Sequence, residues 1–223
     1  MAVKFSVTKA DLTFEAGFGQ PEFALFRDTP GLLRHLFKRL EPHGIRLVDM
    51  KIERGSGSAA DFHVLCYLFN FVMTVRVRID RIEVFCTDLP RDYVQKFSAA
   101  ILDTLAAVQA HLPDLSFRSH ALAVGLHGLL EGETVRHYIS RFVPNAPKIG
   151  SPTGNGVVFY FGPEGDRLLS AITLDMSAMV PDALYVRTHV ILDAKKVEIK
   201  NLASIAEEFI RHVLNQIGLE LSQ

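Results

Sequence analysis

Arg76, Arg78 and Arg81 crowd the end of one apolar stretch, and Arg187 stands at a comparable place in a second. A guanidinium offers paired N–H donors whose spacing matches the oxygens of a carboxylate or phosphate. Arg76 and Arg78, two apart in an extended segment, share one face of a strand. Together they could grip a carboxylate, a phosphate or a nucleic-acid backbone. His189 shares the face of Arg187 by the same alternation. Arg76, Arg78, Arg187 and His189 are therefore the candidate ligand- or anion-binding residues. Asp80, Glu83 and Asp193 compete for them, because cross-strand ion pairs on a solvated sheet face use the same guanidinium groups.

Nine histidines raise the question of metal and acid–base chemistry. Glu133 with His137 and Glu208 with His212 each stand four apart, on one helix face. Such a pair supplies two metal ligands, but neither is accompanied by a second pair, and no metal site is expected. His120 and His127, seven apart in one strand, point to opposite faces. His189 and Asp193 share a face and could form a base oriented by a carboxylate, on the outward side of the strand. Cys66 with His63 would need both groups accessible. There is no Gly-x-Ser-x-Gly elbow. The glycine-rich stretch 150–156 is followed by a strand instead of the helix a phosphate loop requires. Gly17-Phe18-Gly19 lacks the third glycine of a dinucleotide fingerprint. No catalytic set is identified, and no cofactor is expected.

The elements that would position these residues repeat in order. Each half opens on an apolar strand, passes through a short helix into antiparallel strands, and closes on a long amphipathic helix. The first runs from a strand at 5–14 to a helix at 93–112, the second from a strand at 115–126 to a helix at 201–219. Thr29-Pro30-Gly31 reads as a capped helix start. Alternation predicts one long strand over 69–79 and another over 184–193. The long helices carry apolar stripes through Phe97, Ile101 and Leu105 and through Leu202, Phe209 and Val213. Residues 54–60 and 145–156 read as loops. With no polar linker between halves, the expectation is one fused domain, 1–223, made of pseudo-repeats 1–112 and 113–223. The fold class is α+β: two pseudo-symmetric β-α-β(n)-α halves fused into one antiparallel sheet system, with long helices on one face. The element order resembles that of helix-grip ligand carriers and tandem ferredoxin-like domains, a likeness of architecture that implies no function.

Balanced charge narrows the partners. With 24 basic and 25 acidic residues, no global field draws the chain to nucleic acid or an anionic membrane. The longest apolar run, 66–75, is half a membrane span. Cys66 and Cys86 read as reduced, buried thiols, hence a cytoplasmic protein. A hydrophobic content of 48% exceeds what solubility needs, so the surplus belongs in a core, an interface or a cavity. These features favour a non-catalytic module that binds a protein partner or assembles into a homo-oligomer. The alternatives are a carrier of a small apolar or amphipathic ligand between sheet and helices, and a His/carboxylate-dependent enzyme.

Overall fold

The fold is organised around two unusually long strands, β1 (Val3–Phe18) and β6 (Phe117–Leu130), which pair antiparallel from Phe5↔Leu130 to Phe18↔Phe117. The computed structural model describes residues 2–53, 61–90, 93–143 and 156–222. The stretch 54–60, and 145–156 except its last residue, lie outside the described residues. In β1 the residues facing the core change parity along the strand: Phe5 at one end, Phe14 and Ala16 at the other, all fully buried. The register shift between Val7 and Lys9 accounts for this. Thr8 is the extra residue of a bulge, which turns the following side chains to the opposite face. Its hydroxyl donates to the His127 carbonyl at 3.0 Å, satisfying backbone at the interruption.

Hairpins extend the sheet from both sides of this pair. Beyond β1 lie β5 (Arg81–Cys86), β4 (Met73–Arg78), β3 (His63–Leu68) and β2 (Met50–Glu53). Beyond β6 lie β9 (Leu184–Asp193), β8 (Arg167–Met176) and β7 (Val157–Phe161). All these neighbours are antiparallel, and a short β10 (Leu219–Leu221) runs parallel to β1. The result is an α+β fold with a ten-stranded sheet and four α-helices among the described residues. The strand expected over 69–79 is in fact interrupted. β3 and β4 form a hairpin whose turn holds Phe69, Asn70 and Phe71 at φ of 52°, 56° and 70°. Left-handed backbone at aromatic residues is costly. Phe69 is held there by edge contacts with the rings of His43 and Tyr93. Aromatic turn residues without glycine or proline continue the apolar alternation, and so conceal the turn.

α1 (Thr29–Leu40) begins one residue earlier than its sequence cap suggested. Asp28 caps it, its carboxylate accepting from the Gly31 N–H at 3.0 Å, while Thr29 is already helical. Leu32, Leu36 and Leu40 of α1 join Phe97, Ile101 and Leu105 of α2 (Val94–His111) in one core with Phe14, Cys66, Val75 and Val84 of the sheet. A second core unites Phe5, Leu174 and Val186 with Tyr138 and Ile139 of α3 (Val135–Ser140) and Val213 and Leu214 of α4 (Leu202–Gln216). Tyr138, fully buried, donates its hydroxyl to the Ile217 carbonyl at 2.6 Å. The α4 stripe is less covered than its sequence suggests. Phe209 is half-buried, with the Arg167 guanidinium over its ring. No helix among the described residues is long and apolar enough to cross a membrane.

Truncation should separate the two long helices. Phe97→Ala should cost about 3–5 kcal/mol, the usual penalty for a buried aromatic. Phe209→Ala should cost clearly less, because solvent already reaches that ring. Chemical denaturation measures both, and equal losses would contradict the described burial.

Candidate functional site

Register divides the sheet into two faces. Leu12, Phe14 and Ala16 face the helices with Val124, Leu122 and His120 beside them. The intervening residues line the other, open face. Asp11, Gly125 and Arg187 fall in one row across β1, β6 and β9. Thr13, Ala123 and His189 form the next row, and Glu15, Ala121 and Ile191 the third. The middle of these rows is built from small residues, while long side chains stand to either side. A depression over small residues ringed by long ones is a cleft. Its volume is about 430 Å³, and its lining includes Asp11, Thr13, Arg76, Glu83, Ala123, Gly125, Tyr185 and Arg187.

Arg76 and Arg187 thus line one cleft from opposite sides of the β1–β6 pair. Arg76 is partly committed: one terminal nitrogen donates to Glu83 Oε2 at 3.2 Å, and its guanidinium lies over the Phe85 ring. Its Nε is buried with no hydrogen-bond partner. Arg187 is exposed, and among the described residues no carboxylate lies within ion-pair reach of it. Arg78 and His189 occupy the same face but do not line the cleft. Arg78 pairs with Asp80 at 3.6 Å. His189 is half-buried, and its pKa is lowered by burial and then by Arg187. Asp193 does not orient it, since that carboxylate accepts from the Lys195 N–H at 3.0 Å.

Beside the cleft lies a network whose members share no sequence motif. His127 places Nε2 at 3.0 Å from Asp11 Oδ2 and Nδ1 at 2.8 Å from Ser177 Oγ. Ser177 Oγ already accepts from the N–H groups of Met179 and Val180, at 3.1 and 2.9 Å. Its proton therefore goes to Nδ1, and His127 donates from Nε2 to Asp11. Serine, histidine and aspartate are in contact, but this is not a hydrolytic triad. Both lone pairs of the Ser177 oxygen are occupied, which leaves none to attack a carbonyl. The network instead fixes Asp11, whose Oδ1 accepts from the Asp88 N–H at 3.0 Å. Tyr185 stacks on the His127 ring with centroids 4.6 Å apart. The ring needs Gly125 beneath it, since a Cβ there would come within 2.8 Å of Tyr185 Cε2. Burial raises the Tyr185 pKa, so the phenol keeps its proton.

The remaining candidates are accounted for locally. Glu133 is gripped by Arg141 through both oxygens at 2.6 and 2.7 Å, with His137 more distant at 3.5 Å. Glu208 and His212 line a second, larger cleft of about 710 Å³ between α4 and the sheet, with Ile172, Leu192 and Phe209. No three metal-ligating side chains cluster among the described residues. His63 bonds Glu53 at 3.1 Å, whereas Cys66 is fully buried and burial pushes its thiol up to about 12. Such a thiol forms no nucleophilic thiolate near neutral pH. The thiol of Cys86, on the core face opposite Leu12, is likewise raised, to about 11, by burial and then by Asp11 and Asp88.

Two measurements follow from these histidines. Ser177→Ala strips partners from His127 Nδ1 and from two backbone N–H groups, and should cost about 1–3 kcal/mol in denaturation; no loss would mean the network is loose. His120 is buried between Phe14 and Phe117 with its Nδ1 unpartnered, and its pKa is lowered by burial. The unfolded chain therefore binds a proton that the folded chain refuses. Stability should fall as pH drops through the ordinary histidine value of about 6.5 and level off below the depressed folded value. His120→Gln, uncharged throughout, should lessen that slope, His189 with its lowered pKa supplying the rest, and an unchanged slope would place the titration elsewhere.

No known family matches the chain, and no curated protein does. Among solved structures, the rolling circle replication initiator protein from Geobacillus stearothermophilus is similar over 85% of this chain and 74% of its own, at 15% identity and a TM-score of 0.29. That neighbour is named a replication initiator, whereas the sequence favours a non-catalytic module for a protein partner, self-assembly or a small apolar or amphipathic ligand, and makes nucleic acid an unlikely partner. Both are withdrawn. They had rested on net charge and surplus apolar content, which describe the whole chain and not any one surface. At this TM-score the likeness itself carries no argument about what the chain does.

Proposed function

We propose that the chain recognises the anionic group of a small ligand, a phosphate or carboxylate, in the open-face cleft, with Arg187 and Arg76 as its grip. The observation that carries this reading is Arg187, a cleft-lining guanidinium that no carboxylate answers among the described residues. Arg76 on the opposite wall supports it, since its guanidinium gives one terminal nitrogen to Glu83 and has further N–H donors. A guanidinium left unpaired at a concave, partly desolvated surface binds an oxyanion more strongly than one in open water. Arg78, paired with Asp80, and His189 stand on the same face without lining the site.

The same reading takes the chain as one domain of two related halves, 1–112 and 113–223, with helices along one sheet face. Strand order supports it, since β5 beside β1 mirrors β9 beside β6. The cleft then straddles the line where the halves meet. Cys66 and Cys86, both unpaired and buried, support a reducing, cytoplasmic setting.

Titration calorimetry with inorganic phosphate and with acetate tests the anion site. Arg187→Gln should weaken binding about tenfold or more, as expected when a charged hydrogen bond is lost. Its folding stability should change by less than about 1 kcal/mol, as at exposed charges generally. Arg78→Gln should bind as the unaltered protein does. Binding that survives the joint loss of Arg76 and Arg187 would refute the assignment.

A further inference from the structure

The cleft holds more than its arginines. Among the described residues its ionic lining is two guanidinium groups, Arg76 and Arg187, and two carboxylates, Asp11 and Glu83. Glu83 is committed to Arg76 and to Arg81, at 3.2 and 3.1 Å. Asp11 is not balanced in that way. It accepts one hydrogen bond from His127 and one from the Asp88 backbone, each to a different oxygen. A carboxylate offers about four acceptor positions, so each oxygen keeps one lone pair. Among the described residues Asp11 also has no guanidinium or ammonium partner, Lys9 pairing instead with Asp88 at 2.9 Å. A simple anion entering beside Arg187 would leave this carboxylate unanswered and would be repelled by it.

We infer that the ligand is a small zwitterion, its phosphate or carboxylate held by Arg187 and Arg76 and its ammonium group by Asp11 against the Tyr185 ring. This rests on the anion site proposed above. Three features favour an ammonium over a neutral donor. Asp11 is held in place by the Ser177–His127 relay, so its lone pairs are aimed before the ligand arrives, and preorganised acceptors lose least on binding. Tyr185 lines the cleft beside it, stacked flat on His127, and an aromatic face attracts a cation. Asp11 and Arg187 are two strands apart in one row, about 10 Å between Cα atoms, and the side chains close much of that span. A molecule of a few bonds bridges what remains.

Matched probes decide this by calorimetry. O-phosphoethanolamine is compared with inorganic phosphate, and β-alanine with acetate; the two pairs also tell phosphate from carboxylate. At least one zwitterion should bind about tenfold more tightly than its amine-free counterpart, the scale of one ion pair with a cation–π contact. Asp11→Asn should erase that margin, while plain-anion binding stays dependent on Arg187 and, with the repelling charge gone, grows no weaker. Tyr185→Leu should narrow the margin if the asparagine variant proves unstable. Equal affinities within both pairs, with anion binding still dependent on Arg187, would overturn the zwitterion while the anion site stands. Absence of binding by all four probes would overturn both.

Discussion

The long antiparallel pairing of β1 with β6 is the constraint on which the rest depends. It joins residues about 100 to 125 positions apart in the chain, from Phe18 with Phe117 to Phe5 with Leu130, so its loop-closure entropy is repaid only when both flanking hairpins add their burial. It divides apolar from polar residues in one stroke: Phe14 and Leu122 go to the core, Asp11 and Gly125 to the open face. The bulge at Thr8 then lets Phe5 and Phe14 share the core face although one is odd-numbered and the other even. A one-residue slip would exchange the two faces. Every residue assigned to the cleft owes its position to this register.

Charge on the open face is arranged unevenly. At the β4–β5 end Arg81 meets Asp80 at 2.7 Å, Glu83 at 3.1 Å and Glu15 at 3.6 Å. Burial raises the Glu15 pKa, opposed first by Arg81. Partly exposed pairs of this kind contribute at most about 1 kcal/mol each, so they are not what holds the sheet. Their effect is on local potential: they neutralise the guanidinium groups on that side. Arg187, across the central pair, lacks such a counterweight. The asymmetry sets the cleft apart from the rest of a nearly neutral surface.

Much of the face assignment is legible in the residues alone. Alternation over 184–193 places Leu184, Val186 and Val190 inward and Tyr185, Arg187 and His189 outward, and His120 and His127 on opposite faces, as observed. Alternation also puts Arg76 and Arg78 on one strand face, but only the register across the strands shows that Arg76 and Arg187 line the cleft while Arg78 and His189 stand outside it. The grouping of Asp11, His127, Ser177 and Tyr185 was invisible. Each is ordinary in its own segment, and their contact depends on inter-strand register, a bulge and the β8–β9 turn. The turn at Phe69–Phe71 was hidden for a different reason, since tertiary contacts hold aromatic residues in backbone geometry that local propensity disfavours.

The central claim is that Arg76 and Arg187 act as one site. It is tested most directly by following their guanidinium Nε–H resonances by NMR while inorganic phosphate is added. Both signals should move along saturable curves with one shared dissociation constant. Those of Arg46 and Arg211, paired on the surface with Asp49 and Glu207, should stay in place. Shifts that grow linearly and equally at all four arginines would mean that phosphate only screens the surface, and would contradict the account.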